Sequence, residues 1–120
     1  MAAELLYEIE KADAPGKTRI ISLSGEIDES NQSVLEKVFQ EIIEDKDVSC
    51  VVFNIENLDY VNSGVIGLFA VWHEKFLEKK KTFVFAQAND HIYDILDLVG
   101  LISVVDHFTS IEEACLSFEG

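Results

Sequence analysis

Apolar and polar positions change period several times along the chain, and each change marks an element. Leu5-Leu6-Tyr7-Glu8-Ile9-Glu10 partly alternates, as an edge strand does, and Ala14-Pro15-Gly16-Lys17 then turns the chain. Thr18-Arg19-Ile20-Ile21-Ser22-Leu23-Ser24 reads as the returning strand of an antiparallel pair, ended by a bend at Gly25-Glu26-Ile27-Asp28. The period then lengthens to that of a helix. Val34, Leu35, Val38, Phe39, Ile42 and Ile43 fall on one face and leave Glu36, Lys37, Glu41 and Glu44 in water. Asp28 to Asn31 offer caps for this helix, and Asp45-Lys46-Asp47 closes it.

Val48 to Ile55 is nearly continuous apolar, the mark of a parallel strand covered on both faces. A second helix follows from Val65 to about Lys79, with Ile66, Phe69, Ala70, Trp72, His73, Phe76 and Leu77. Trp72 reads as core, and the basic run to Lys81 as a solvated corner. Thr82 to Ala86 is a short apolar strand; Asn89-Asp90 caps a third helix carrying Ile92, Ile95, Leu96 and Val99, stopped at Gly100. Ile102-Ser103-Val104-Val105 reads as a final short strand. Thr109-x-x-Glu112 or Ser110-x-x-Glu113 forms the capping box of a last helix. This order predicts an α/β fold: a mostly parallel mixed sheet of about five strands, the first two antiparallel, packed with about four helices.

Between the Cys50–Ile55 run and the second helix lies Asp59-Tyr60-Val61-Asn62-Ser63-Gly64-Val65-Ile66-Gly67-Leu68. Asn62 and Ser63 favour a helix N-cap because their side-chain oxygens accept from the first free N–H groups. Ser63 therefore belongs at the carboxyl end of a strand and the amino end of a helix, where open α/β sheets place ligand chemistry. A phosphate on that hydroxyl would meet free donors and positive dipole. The same spacing also describes a plain cap with no further chemistry.

Composition narrows the function. A chain of 120 residues, 48% apolar, is expected to be one domain, 1–120, with a core that needs no disulfides. No apolar run approaches the roughly 20 residues of a membrane span, and the Met1 end carries no leader pattern. A cytoplasmic protein is expected. The net charge of −14, from 23 acidic and nine basic residues, opposes nucleic acid and anionic membranes as partners. It suits solubility, or steering toward a basic protein surface.

Cys50 and Cys115 read as small buried hydrophobes, and His73, His91 and His107 share no metal-ligand spacing. No Gly-rich phosphate loop and no GxSxG elbow occurs. Asp28 and Asp59, near strand ends, lack the acidic cluster that would complete a Mg²⁺ site. No catalytic residue, cofactor or metal is expected.

With these elements in order, the sequence resembles the STAS-domain anti-sigma factor antagonists of bacteria. Their motif of aromatic, apolar, Asp, Ser, Ser or Thr, Gly, Leu, Gly is similar to Tyr60-Val61-Asn62-Ser63-Gly64-Val65-Ile66-Gly67. A Gly-x-Leu-Asp motif matches Gly25-Glu26-Ile27-Asp28. A third motif is similar to Val99-Gly100-Leu101 with the helix from Ser110 to Ala114. Asn62 stands where Asp is usual, Gly64 where Ser or Thr is usual, and Val65 where Gly is usual. Asn keeps the cap and removes a negative charge beside the hydroxyl.

The resemblance implies a STAS-like fold and a non-enzymatic binding module with Ser63 as the phosphorylated serine. Unphosphorylated, it would dock on a serine-kinase-type anti-sigma factor or related regulator through Asp28, Asp59, Asn62, Ser63 and Gly64. Phosphorylated, it would let go, and a PPM-type serine phosphatase would reset it. A monomer or weak dimer is expected. Asp28 and Asp59 also read as cap and turn carboxylates. Two alternatives stand beside the switch: a constitutive scaffold or small-ligand-sensing subunit, and a flavodoxin-like enzyme, which would need a cofactor.

Overall fold

The computed structural model describes residues 3–12 and 17–119. Its elements are β1 (Leu5–Lys11), β2 (Thr18–Ile27), α1 (Gln32–Glu44), β3 (Cys50–Val61), α2 (Ser63–Glu78), β4 (Thr82–Ala86), α3 (Asp90–Leu98), β5 (His107–Phe108) and α4 (Ile111–Leu116). Among the described residues the sheet has five strands in the order β1-β2-β3-β4-β5. Strand β1 runs antiparallel to β2, and every other pairing is parallel. The expected class and the antiparallel first pair are both present. The Pro-Gly turn lies outside the described residues.

Helices cover the sheet unequally. One face packs against α1, α2 and α3 through Leu35, Phe39, Phe69, Phe76, Ile92 and Leu96. Phe39 is the hub: it stacks on Trp72 with centroids 5.2 Å apart and meets Phe53 edge-on at 5.5 Å. Trp72 is core, as expected, with Lys75 Nζ 4.4 Å from its ring. Truncating a buried phenylalanine of this kind costs about 3–5 kcal/mol. The opposite face carries a smaller cluster, Val52, Val84, Ala86 and Ala114, under α4.

Strand β3 runs past Ile55, where its apolar run ends in the sequence, to Val61. Ser22 and Ser24 pair with Asn54 and Asn57, and Gly25 and Glu26 with Leu58 and Tyr60, so β3 carries two extra residues opposite β2. Each such bulge resets the alternation. Ile55, Leu58 and Val61 are consequently all buried in the main core although they stand three apart. Asn89 braces this stretch, donating to the Glu56 carbonyl (3.1 Å) and the Leu58 carbonyl (2.8 Å) while its Oδ1 accepts from the Ile92 N–H and caps α3.

Three expectations change. Ile102–Val105 is not a strand: Leu101–Ser103 is a single 3₁₀ turn launched by Gly100 at φ 82°, and β5 lies further on. Leu101 and Val105 are buried four residues apart and Val104 is exposed, which is turn spacing rather than strand alternation. Asn31, one of the expected candidates, is the N-cap residue of α1 but makes no side-chain capping bond: its side chain turns back, accepting from the Asp28 N–H and donating to the Glu26 carbonyl. Lys81 is not idle at a corner. Its ammonium donates to the Ile42 and Asp45 carbonyls, both at 2.7 Å, and so closes the end of α1.

Gly25, expected to open the bend that ends β2, lies inside the strand, which runs on to Ile27, and the position requires glycine. Its φ is +99°, and an added Cβ would stand 2.1 Å from the Glu4 carbonyl oxygen. That oxygen accepts from the Glu26 N–H at 2.9 Å.

Candidate functional site

Parallel pairing brings the ends of β2 and β3 together, and α2 starts from that corner. The Asn62 N–H donates to the Ile27 carbonyl at 3.3 Å, which fixes the chain as it leaves the sheet. Asn62 has extended backbone and is the N-cap of α2: its Oδ1 accepts from the Val65 N–H at 2.9 Å. Ser63 is thus the first residue of the helix rather than its cap, and it is exposed. Among the described residues none hydrogen-bonds its hydroxyl. Capping by the preceding residue leaves that hydroxyl free for other chemistry, at the positive end of a sixteen-residue helix.

Asn62 uses its second polar atom as well, donating through Nδ2 to Glu29 Oε2 at 2.8 Å. This ties the β2–α1 turn to the start of α2. The turn itself is held by Asp28, whose Oδ1 accepts from the Ser30 hydroxyl (2.6 Å) and the Ser30 N–H (2.8 Å). Those two bonds, the hydroxyl's first, hold the Asp28 carboxyl below its ordinary range. Gly64 is exposed, and a Cβ there would meet only Asn62 Oδ1 at an ordinary 3.5 Å.

Beside Ser63 runs an apolar groove of about 300 Å³ between α2 and the α3–β5 connection. Ser63, Ile66, Gly67 and Ala70 form one wall, and Val99, Leu101 and Val104 the other. Val99 and Val104 are more than half exposed along it.

The structure therefore brings Asp28, Asn62, Ser63 and Gly64 to one corner. It does not bring Asp59 there. Asp59 lines a separate hollow with Glu4, Leu6, Ser24, Gly25, Glu26 and Asn57. Both carboxylates lie toward the carboxyl end of the sheet, and Asp59 is the extra residue of β3 at the register shift between Gly25 and Glu26. Sequence reasoning missed Glu29 and the groove. Glu29 meets Asn62 only through the β2–β3 register, and no local pattern encodes that register.

Among the described residues no group of three or more His, Cys, Asp and Glu side chains is arranged to hold a metal ion, and no helix is long and apolar enough to cross a membrane. His107 serves the fold: its Nε2 accepts from the Ala88 N–H at 3.1 Å, and its ring meets Tyr93 edge-on.

Comparison with solved structures finds the same architecture. An anti-sigma factor antagonist from Mycobacterium paratuberculosis superposes with a TM-score of 0.80 at 20% identity, over 98% of this chain and 96% of that one. The anti-sigma factor antagonist SpoIIAA in its unphosphorylated form gives 0.74 at 19% identity, over 96% and 97%. The murine anion transporter Slc26a9 gives 0.74 at 11% identity, over 98% of this chain but 22% of the transporter. These likenesses establish the fold. No curated protein matches the chain by sequence. The family model of the STAS domain matches residues 9–114, nearly the whole chain, and the protein belongs to the STAS domain family.

Proposed function

We propose that this STAS domain is a phosphorylation-controlled binding module of the anti-sigma-antagonist kind. The observation that carries the reading is the exposed Ser63 hydroxyl, released from capping duty by Asn62 and standing on the rim of an apolar groove. Unphosphorylated, the domain docks on a serine-kinase-type anti-sigma factor or related regulator in the cytoplasm. The docking corner comprises Asp28, Asn62, Ser63 and Gly64 with the neighbouring groove. The partner's kinase phosphorylates Ser63, and a PPM-type serine phosphatase restores the binding form.

The physics favours release. Phosphoserine adds about −1.5 to −2 charges at pH 7. In the free domain that charge sits at a helix N-terminus in water and needs no refolding. In a complex it must be desolvated beside an apolar groove, with the Glu29 carboxylate on the adjoining turn. A penalty of about 3 kcal/mol already weakens binding more than a hundredfold. Pull-downs from the source cells test this: Ser63→Ala captures the partner constitutively, and Ser63→Asp captures little. Equal capture by the two variants rejects the switch.

The likeness to a domain that makes up 22% of a transporter favours one second reading, a constitutive scaffold on this fold. In that case Ser63 carries no phosphate in cells.

A further inference from the structure

One edge of the sheet lies on β1, and its chemistry is one-sided. Two bonds at the ends of the β1–β2 ladder, Glu26 N–H to Glu4 C=O (2.9 Å) and Ala12 N–H to Thr18 C=O (3.2 Å), fix which residues face inward. Hydrogen-bonded and non-hydrogen-bonded pairs alternate along an antiparallel ladder. Leu6, Glu8 and Glu10 therefore bond to their register partners Ser24, Ser22 and Ile20. The N–H and C=O groups of Leu5, Tyr7, Ile9 and Lys11 point away from the sheet, where no described residue meets them.

Side chains sort by the same alternation. Leu5 packs against the main core, so Tyr7 and Ile9 stand on the face that carries α1, α2 and α3, and Leu6, Glu8 and Glu10 on the face that carries α4. Leu6, Tyr7 and Ile9 are 62%, 42% and 46% exposed, so nothing described covers this strand. On the far face α4 packs over β3, β4 and β5. The part over the ends of β1 and β2 and the bulged stretch of β3 is left open, with Leu6, Glu8, Ser22, Ser24 and Asn57 among its lining. Glu4, Glu26 and Asp59 stand around one end of it.

We propose that β1 is a second docking edge, independent of Ser63, which adds an extended basic segment of a partner protein as a further strand. The unpaired backbone groups supply the ladder, as in other β-augmentation sites. Charge selects the occupant. A second copy would set the Glu8 and Glu10 rows of two chains, each of net charge −14, across one ladder, and like charges facing each other in a ladder destabilise it. A strand with Lys or Arg at alternate positions instead faces Glu8 and Glu10, and its other side covers Tyr7 and Ile9 with apolar residues.

The test is amide hydrogen exchange on the intact chain, titrated with a short synthetic peptide alternating lysine and valine. The peptide is expected to slow exchange at Tyr7 and Ile9 by at least about tenfold, while Leu6, Glu8 and Glu10, already bonded, change little. The double variant Glu8→Gln with Glu10→Gln weakens peptide binding about tenfold and removes most of its salt dependence. Ile9→Pro abolishes binding, because proline deletes an outward N–H and leaves the β2 ladder intact; Ser63→Asp has no effect. If Ile9→Pro does not fold, the Glu8 and Glu10 variant decides alone. The proposal is overturned by unslowed exchange at Tyr7 and Ile9, or by equal binding of a glutamate–valine peptide. A β1-dependent dimer in sedimentation overturns it too, since the occupant would then be a second copy.

Discussion

Asn62 reaches across 33 positions of sequence to donate to Glu29 Oε2 at 2.8 Å, while its other side-chain atom caps α2. Aspartate, the usual family residue there, supplies the cap but has no hydrogen to give. Asn62 and Glu29 therefore form a matched pair in this chain, and the match gives a physical reason for the departure from the motif.

The pair makes a graded prediction. Asn62→Ala loses the cap and leaves Glu29 unpartnered, a destabilisation of about 1–2 kcal/mol in urea unfolding. Asn62→Asp keeps the cap but sets two carboxylates against each other, so it is destabilising in the native background and milder when combined with Glu29→Gln. Equal effects of Asn62→Asp in the two backgrounds would remove the pairing argument.

Gly25 is predicted to be intolerant of any side chain. With φ at +99° and the Glu4 carbonyl oxygen 2.1 Å from a built Cβ, Gly25→Ala is expected to lower stability by about 2–3 kcal/mol. Thermal unfolding measures this.

Gly67 separates folding from docking. It lies in α2 on the groove wall, and a Cβ there meets nothing within 4 Å. Gly67→Leu should stabilise the helix by up to about 1 kcal/mol. The same change fills the groove beside Ser63 and should reduce partner capture at least about tenfold. Unimpaired capture by a well-folded Gly67→Leu protein would exclude the groove from the docking corner.

Stability should fall in mild acid. Burial lowers the pKa of both His73 and His107 from the ordinary 6.5, with Asp106 partly opposing it at His73. The folded state thus prefers neutral rings, so their contribution is full above the unfolded value and is lost as pH drops below 6.5 toward the folded values. At His107, protonation also removes the Nε2 acceptor of the Ala88 N–H. Urea midpoints between pH 7 and pH 5 should decline, and His107→Asn should flatten part of that decline.

The local signals were legible in the sequence, and the long-range ones were not. The caps at Asn62, Asn89 and Ser110 and the stop at Gly100 stand where propensity places them, because a cap is settled within one turn of chain. The last capping box is only half closed: Ser110 Oγ accepts from the Glu113 N–H, but Glu113 turns to the Thr109 hydroxyl. Strand β3 beyond Ile55 was hidden because its bulges break the period-two pattern that reveals a strand. Ile102–Val105 misled because a short apolar run fits a buried turn as well as a strand. The Glu29 contact, the Val99–Val104 groove wall and the separation of Asp59 from Ser63 all depend on which strands pair and in what register, and periodicity along one segment does not record that.

On the proposed function, a phosphate on Ser63 and a docked partner exclude each other. Phosphopeptide mass spectrometry tests it directly when the chain is fractionated from its source cells into partner-bound and free pools. Ser63 is predicted to be unmodified in the bound pool and to carry the phosphate in the free pool. Equal phosphate on Ser63 in both pools, or no phosphate on Ser63 in either, would rule out the switch.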